Sequence, residues 1–166
     1  MKKLFVVMVA VLCFVASASA QSKVKSAFGI DNDARCSVGL RVGSGVQVVG
    51  EYFYAKDVYY EGRVGYNWGS GLSVQAFHVW NPMDFAWTPD LGWWFLDAGV
   101  GAFVGAIPGV NVGVAGTAKF GILFKNTPIR LAIDLTPQLG IYAYKGYVGF
   151  WGSGVFNGGI SATYCF

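Results

Sequence analysis

The sequence predicts an all-β fold, an antiparallel up-and-down barrel of eight strands. Apolar side chains recur at every second position, turn residues separate the alternating segments, and no segment shows the helical period. In 129–136, for example, the odd positions are large and apolar, whereas the even positions are polar or small. With 166 residues, 54% of them hydrophobic and 13% charged, the chain has room for one domain and is too apolar to be disordered.

The first twenty residues are predicted to be a signal peptide. Lys2 and Lys3 are followed by the apolar run 4–15 and by the small residues Ala18-Ser19-Ala20. The apolar run is too short for a membrane-spanning helix, which needs about 20 residues. We therefore divide the chain into a signal peptide at 1–20, an N-terminal extension at 21–35 and a barrel at 36–166.

Eight segments with a two-residue period make up the barrel. We predict strands at 36–43, 46–54, 58–68, 72–80, 92–104, 111–125, 128–142 and 154–166. Turn residues such as Gly43-Ser44-Gly45 and Asn126-Thr127-Pro128 separate them. Pro137 lies inside the seventh segment, and since proline cannot donate to the ladder, it predicts a bulge or an edge position there.

The polar face of these strands distinguishes two opposite kinds of barrel. A soluble barrel exposes that face and carries many lysines and glutamates on it, whereas a membrane barrel turns it into the lumen. Here the face is mostly glycine, alanine, serine, threonine and glutamine. Its charges are Arg41, Glu51, Glu61, Arg63, Asp97, Lys119, Arg130 and Asp134. Because the signs balance, we predict a neutral hydrogen-bonded network in the lumen; the alternative is scattered ion pairs on a soluble surface.

Aromatic residues on the apolar face fall near the predicted strand ends, where amphipathic rings meet a bilayer interface. One end carries Tyr52, Tyr54, Tyr60, Trp80, Trp94, Phe124, Tyr164 and Phe166, and the other carries Tyr66 and Trp68. A spanning strand needs about 9–11 residues, which the predicted segments mostly provide. The sequence therefore favours a transmembrane barrel over a soluble sandwich with an aromatic core.

The signal peptide, the eight strands and the last segment, 158–166, resemble the small outer-membrane β-barrel proteins of Gram-negative bacteria, the OmpX-, OmpW- and opacity-type barrels. In that family the last strand ends in an aromatic residue that the barrel assembly machinery reads. The resemblance therefore implies that Tyr164 and Phe166 are the assembly signal. It also implies an outer-membrane location, with the assembly machinery and outer-membrane lipid as partners. The chain departs from the family in its short Gly-Ser-Gly tips and in a longer connection, Asn81 to Leu91, which would be periplasmic.

Residues for catalysis or metal binding are sparse. His78 is the only histidine, and Ser73 lies on the opposite face of the same strand. The two side chains therefore cannot form a hydrogen-bonded pair of nucleophile and general base. One histidine does not support a Cys/His zinc site, and a net charge of +3 is too weak for a nucleic-acid-binding protein. We predict no catalytic residue, no metal and no cofactor.

Two cysteines, Cys36 and Cys165, fall where the first and last strands of a closed barrel pair. Their proximity predicts a disulfide, although alternation turns Cys165 inward and Cys36 outward.

The predicted function is that of an integral outer-membrane protein with a side-chain-filled lumen, a structural or surface-interaction role and no catalysis. The residues that would carry an interaction with an unknown surface partner are aromatic: Tyr144, Tyr147, Phe150 and Trp151. One alternative is a narrow path for small or apolar solutes, although eight strands generally leave no aqueous channel. A lipid A-modifying enzyme is the other alternative, and the sequence shows no site for it.

Overall fold

The computed structural model describes residues 35–55, 57–68, 71–88, 90–106, 109–151 and 157–166. The predicted signal peptide and the predicted extension up to residue 34 lie outside the described residues. Within these ranges the regular structure consists of ten strands, so the all-β prediction is confirmed. The described part of the chain holds no helix with the length and apolar character that crossing a membrane requires.

Ten strands fill eight positions around the barrel. They are β1 (Cys36–Gly43), β2 (Gly45–Ala55), β3 (Val58–Asn67), β4 (Gly71–Phe85), β5 (Gly92–Ala106), β6 (Val110–Phe124), β7 (Ile129–Leu135), β8 (Gln138–Tyr144), β9 (Tyr147–Trp151) and β10 (Gly158–Cys165). Strands β1 to β6 take one position each. The seventh position is shared by β7 and β8, and the eighth by β9 and β10, because β9 pairs with β8 and β10 pairs with β7.

The barrel closes through antiparallel pairing alone. Each strand from β1 to β6 pairs with the next, and β6 continues to β7 along one half and to β8 along the other. The strand β10 then pairs with both β7 and β1, which completes the ring. The predicted closed eight-stranded antiparallel barrel is confirmed.

The predicted seventh strand is interrupted at Thr136 and Pro137. Leu135 opposes Ala118 on β6 and Gln138 opposes Ala115, so equal numbers of residues separate the two pairs on each strand. The register is therefore unchanged, and Pro137 makes a gap in the ladder; of the predicted bulge or edge position, the bulge is not formed. Its carbonyl still accepts a hydrogen bond from Gly116 N–H at 2.9 Å, whereas its own nitrogen has no hydrogen to donate.

Two boundaries differ more widely from prediction. The strand β4 runs five residues beyond position 80 because a bulge places Asn81 and Pro82 opposite Asp97, after which pairing with β5 resumes at Met83. The predicted connection from Asn81 to Leu91 is thus strand in its first half. The short strand β9 occupies a segment that the sequence left as a tip.

Burial decides which face of each strand points inward. On the apolar face Val64 is 50% exposed and Ile133 is 57% exposed, whereas on the polar face Arg63 is 1% exposed and Asp134 is 7% exposed. The barrel is therefore polar inside and apolar outside. Below, the terminal end is the end that carries Arg35 and Phe166, and the tip end is the opposite one.

Candidate functional site

The eight charged residues that the sequence assigns to the polar face all lie in the lumen, and none is more than 7% exposed. They come from β1, β2, β3, β5, β6 and β7. Alternation turns each of them inward on its own strand, and closure of the barrel brings the strands together around one narrow interior.

Asp134 lies between two arginines. Arg41 donates from Nε to both carboxylate oxygens of Asp134 at 2.9 Å, and from Nη2 to Oδ1 at 2.7 Å. On the other side, Arg63 Nη1 is 3.5 Å from the same Oδ1. Arg41 also donates to Gln47 Oε1 and to the carbonyl oxygen of Asn157, each at 3.2 Å, so its guanidinium is well supplied with acceptors.

Lys119 lies between two glutamates. Its Nζ donates to Glu51 Oε1 at 2.9 Å and to Glu61 Oε2. The second oxygen of Glu61 accepts a hydrogen bond from Arg63 Nε. Lys119 therefore joins the group around Asp134 to the remaining charges of the lumen.

Arg130 links Glu51 to Asp97. Its Nη1 donates to Glu51 Oε1 at 2.8 Å, and its Nη2 donates to Asp97 Oδ2. The hydroxyl of Tyr59 donates to the same Asp97 oxygen at 2.6 Å. The guanidinium carbon of Arg130 lies 3.9 Å from the centre of the Phe95 ring, a cation–π contact that covers its flat face.

These contacts form one chain of alternating sign, which we call the lumen charge chain. Its members, in order of contact, are Arg41, Asp134, Arg63, Glu61, Lys119, Glu51, Arg130 and Asp97. Every member touches at least one residue of opposite sign, and the formal charges sum to zero. Since an unpaired buried charge is very costly, these ion pairs favour one arrangement of the six strands, although Arg130 Nε and Asp97 Oδ1 have no hydrogen-bond partner.

Hydroxyl groups from the predicted small-residue lining of the polar face complete the chain. Ser37 donates to Glu51 at 2.5 Å, and Arg63 donates to Thr136 at 2.8 Å and to Thr117 at 3.1 Å. The only sequence signal of these residues is their inward parity. Their partners depend on which strands pair, which the local pattern does not contain.

Aromatic side chains fill much of the remaining lumen. The sequence predicted small residues as its lining. A buried cluster contains Tyr59, Phe77, Val79, Phe103 and Ala115, with Phe53 packed against it. Phe77 also lies under Arg63, with 4.8 Å between its ring centre and the guanidinium carbon. Rings and charges thus share the interior. The predicted aromatic belts contain only outward rings, so the inward role of Tyr59, Phe77 and Phe103 was not predicted.

The predicted disulfide between Cys36 and Cys165 is not formed, and both thiols are free. The ladder places Cys165 opposite Ser37, while the main-chain groups of Cys36 bond those of Phe166 at 3.2 and 2.9 Å. Paired residues share a face and consecutive residues do not, so one thiol points into the lumen and the other points outward. The two cysteines do lie, as predicted, at the junction of β1 and β10, which we call the seam.

The predicted assembly residues lie at the terminal end of that seam. Tyr164 opposes Val38 on β1 and Ile129 on β7, and its side chain is exposed on the outer wall. Phe166 follows β10 directly and is held by its hydrogen bonds to Cys36.

His78 lies on the outer wall, within the aromatic belt of the terminal end. Its Nε2 is 2.7 Å from the hydroxyl oxygen of Tyr54. Ser73 points into the lumen, where it accepts a hydrogen bond from Gln47, so the two side chains lie on opposite faces of β4. At the tip end, Tyr66 and Trp68 meet edge to face with ring centres 5.5 Å apart.

The candidate surface residues lie on the hairpin formed by β8 and β9. Tyr144 pairs with Tyr147 beside the turn, and Phe150 pairs with Ile141 further down. All three candidate side chains are exposed, with Phe150 the most exposed at 79%. The Trp151 side chain lies outside the described part of the structure.

The fold and the lumen define the class of this molecule: a closed eight-stranded antiparallel β-barrel with a charged interior and an apolar outer wall. Among its described residues, no group of three or more histidine, cysteine, aspartate or glutamate side chains is arranged to hold a metal ion. Comparison with known proteins finds no family model, no curated protein and no solved structure that matches the chain.

Proposed function

We propose that this chain is an integral outer-membrane β-barrel protein of the OmpX, OmpW or opacity kind, with a structural or surface-interaction role and no catalytic activity. The observation that carries the proposal is the inverted burial of the barrel. Charged side chains are enclosed, while large apolar side chains are exposed on every side of the outer wall.

Energetics favour a bilayer as the surroundings of such a wall. In water, contiguous apolar surface costs about 25 cal/mol for each Å², so a monomer rarely exposes a large patch of it. In hydrocarbon the same wall carries no such cost, and closure of the barrel pairs the strands on both edges except β9, whose one ladder partner in the described structure is β8. The charged interior then corresponds to the polar lumen that membrane barrels place away from lipid.

The contents of the lumen support a structural role over solute transport. The lumen charge chain and the aromatic cluster occupy the interior together, and their members are nearly all less than one-tenth exposed. Moving a solute through the barrel would require breaking buried ion pairs. We therefore propose that the barrel acts through its outer wall and its tips, with the exposed rings of the β8–β9 hairpin as the contact for a surface partner.

Cell fractionation combined with gel mobility tests the proposed location. The protein should be found in the outer-membrane fraction, without residues 1–20, and should migrate differently before and after boiling because the folded barrel resists detergent. Soluble protein whose mobility does not depend on heating would overturn the proposal.

Planar-bilayer recording tests the proposed closed lumen. The purified barrel should give no steady conductance steps after insertion, which is established separately by its heat-dependent mobility. Regular openings by inserted protein would favour the transport alternative, and a mass shift of lipid A on expression would favour an enzyme.

A further inference from the structure

One residue of the outer wall, His78, differs in chemistry from the apolar and aromatic residues around it. At the outward positions of the described strands, no other residue is a histidine, lysine, arginine, aspartate or glutamate. Its neighbours across the ladder, Tyr60 on β3 and Val100 on β5, are both exposed on the same wall. A polar group facing lipid is costly unless it is hydrogen-bonded, so such a residue calls for a partner.

Tyr54 supplies a partner for one of the two ring nitrogens. Its hydroxyl oxygen is 2.7 Å from His78 Nε2, and its ring stacks on Tyr60 with 4.9 Å between ring centres. Tyr60 and Trp80 flank the imidazole, with their ring centres 5.4 and 6.2 Å from its own. The other ring nitrogen, Nδ1, has no hydrogen-bond partner among the described residues.

The height of this cluster places it at a bilayer interface. Trp80 pairs with Val58, the first residue of β3, and His78 pairs with Tyr60 two residues further along. Tyrosine and tryptophan rings prefer the headgroup level of a bilayer. In the proposed membrane location, the imidazole therefore lies at the headgroup level.

We propose that Tyr54, Tyr60, His78 and Trp80 form a binding site for the phosphate of a bilayer phospholipid, in the leaflet around the terminal end. Tyr54 donates to Nε2, which leaves the imidazole proton on Nδ1, and Nδ1–H donates to a phosphate oxygen. This proposal rests on the proposed membrane location, and it adds a specific lipid contact to it.

Phosphate is the ligand chemistry that suits this donor. Acidic side chains are absent from the outward positions of the described strands. Two exposed carboxylates lie beyond the cluster toward the terminal end: Asp57 in the turn before β3, and Asp84 after the bulge of β4, where it accepts a hydrogen bond from Asn81. The half-buried imidazole lies beside two rings, so an N–H donor to an anionic phosphate and an apolar surface for the glycerol and acyl portions stand together.

Solid-state NMR tests the contact directly, because the chain contains one histidine. Untagged protein labelled with ¹⁵N-histidine is placed in bilayers of phosphatidylethanolamine and phosphatidylglycerol, and dephasing of the two imidazole signals by lipid ³¹P is measured. We expect strong dephasing of Nδ1 and weaker dephasing of Nε2. Absence of dephasing in bilayers that contain inserted barrel would overturn the site.

A matched pair of variants tests the role of Tyr54. Tyr54→Phe removes the hydroxyl that orients the imidazole and should reduce the Nδ1 dephasing, whereas Tyr66→Phe removes an outer-wall hydroxyl at the tip end, away from the cluster, and should leave it unchanged. Equal dephasing in both variants would contradict the proposed orientation. Moving the histidine toward the middle of the wall, with His78→Phe and Val74→His together, should abolish dephasing; retained dephasing would mean that position does not matter.

Two further measurements separate the sources of failure. Protein in maltoside micelles with inorganic phosphate should show no dephasing, and a signal there would assign the site to free phosphate instead of lipid. Flotation with the vesicles and heat-dependent mobility report insertion independently. Protein that does not float contradicts the proposed membrane function, whereas inserted protein without dephasing contradicts the phosphate site alone.

Discussion

At the residue scale, Lys119 is the point where one substitution does most damage to the lumen charge chain. It is the sole member that touches both Glu51 and Glu61 in the described structure. Lys119→Met keeps much of the apolar stem but leaves the lumen with an excess negative charge. Because breaking a buried ion pair by removing one partner costs about 3–5 kcal/mol, we expect the free energy of unfolding to fall by about that amount, measured by urea titration in lipid vesicles.

Two comparisons isolate the electrostatic part of this loss. Lys125→Met removes an exposed turn lysine and should change stability by no more than about 0.5 kcal/mol. Glu61→Gln added to Lys119→Met removes the excess charge and should recover part of the stability. If the double variant is no more stable than Lys119→Met alone, packing and not charge explains the loss.

Gly39 gives a second test at this scale, because it brings β1 close to β10. A Cβ at this position would lie 1.9 Å from the carbonyl oxygen of Ala162, whereas one at Gly50 would meet nothing within 4 Å. We expect Gly39→Ala to lower the free energy of unfolding by about 1–3 kcal/mol and Gly50→Ala to have little effect. Equal effects of the two substitutions, in the same urea titration, would show that β1 and β10 can lie further apart than they do in the structure.

Sequence alternation was sufficient to place all eight charges on the inner face, because parity on a strand is a local property. It was not sufficient to pair them. Arg41 meets Asp134 only because β10 brings β1 next to β7, and this arrangement depends on closure of the whole ring. Tyr59 has the same inward parity as Glu61, yet nothing local marks it as the donor to Asp97.

At the element scale, the strand ends show where the sequence signal is weakest. The strand β4 was predicted to stop at 80 because Asn81 and Pro82 look like turn residues, but a bulge absorbs both of them and pairing resumes. The strand β9 was missed because three of its five residues are aromatic and none is charged, so apolar and polar side chains show no clean alternation. Strand centres were predicted well because each strand has one apolar face and one polar face.

Pro137 provides a prediction about an element. The register is the same on both sides of it, so Pro137→Ala should add an amide that donates across the ladder to Gly116 without shifting neighbouring pairs. We expect the new amide at position 137 to exchange slowly in hydrogen-exchange NMR, as strand amides do. Fast exchange there, or altered shifts along β6, would mean that the local backbone is bulged after all.

At the scale of the whole molecule, the proposed membrane location depends on the outer wall facing lipid. An eight-stranded barrel can fill its interior with side chains and still be stable in either solvent, so closure alone does not choose between water and bilayer. The choice is made by which side chains face outward. Here the wall between its two aromatic ends is formed by valine, leucine, isoleucine, alanine and glycine, and His78 lies within the aromatic belt of the terminal end.

Nitroxide accessibility measures the environment of the wall most directly. Single cysteines replace Val64, Ile133 or, as a water-exposed control, Lys125, in a background with Cys36→Ser and Cys165→Ser, and each is spin-labelled in lipid vesicles. We predict that the labels at 64 and 133 collide with oxygen, which concentrates in hydrocarbon, and are shielded from a water-soluble nickel complex, whereas the label at 125 shows the opposite. Nickel access at 64 and 133 equal to that at 125 would contradict a lipid-facing wall.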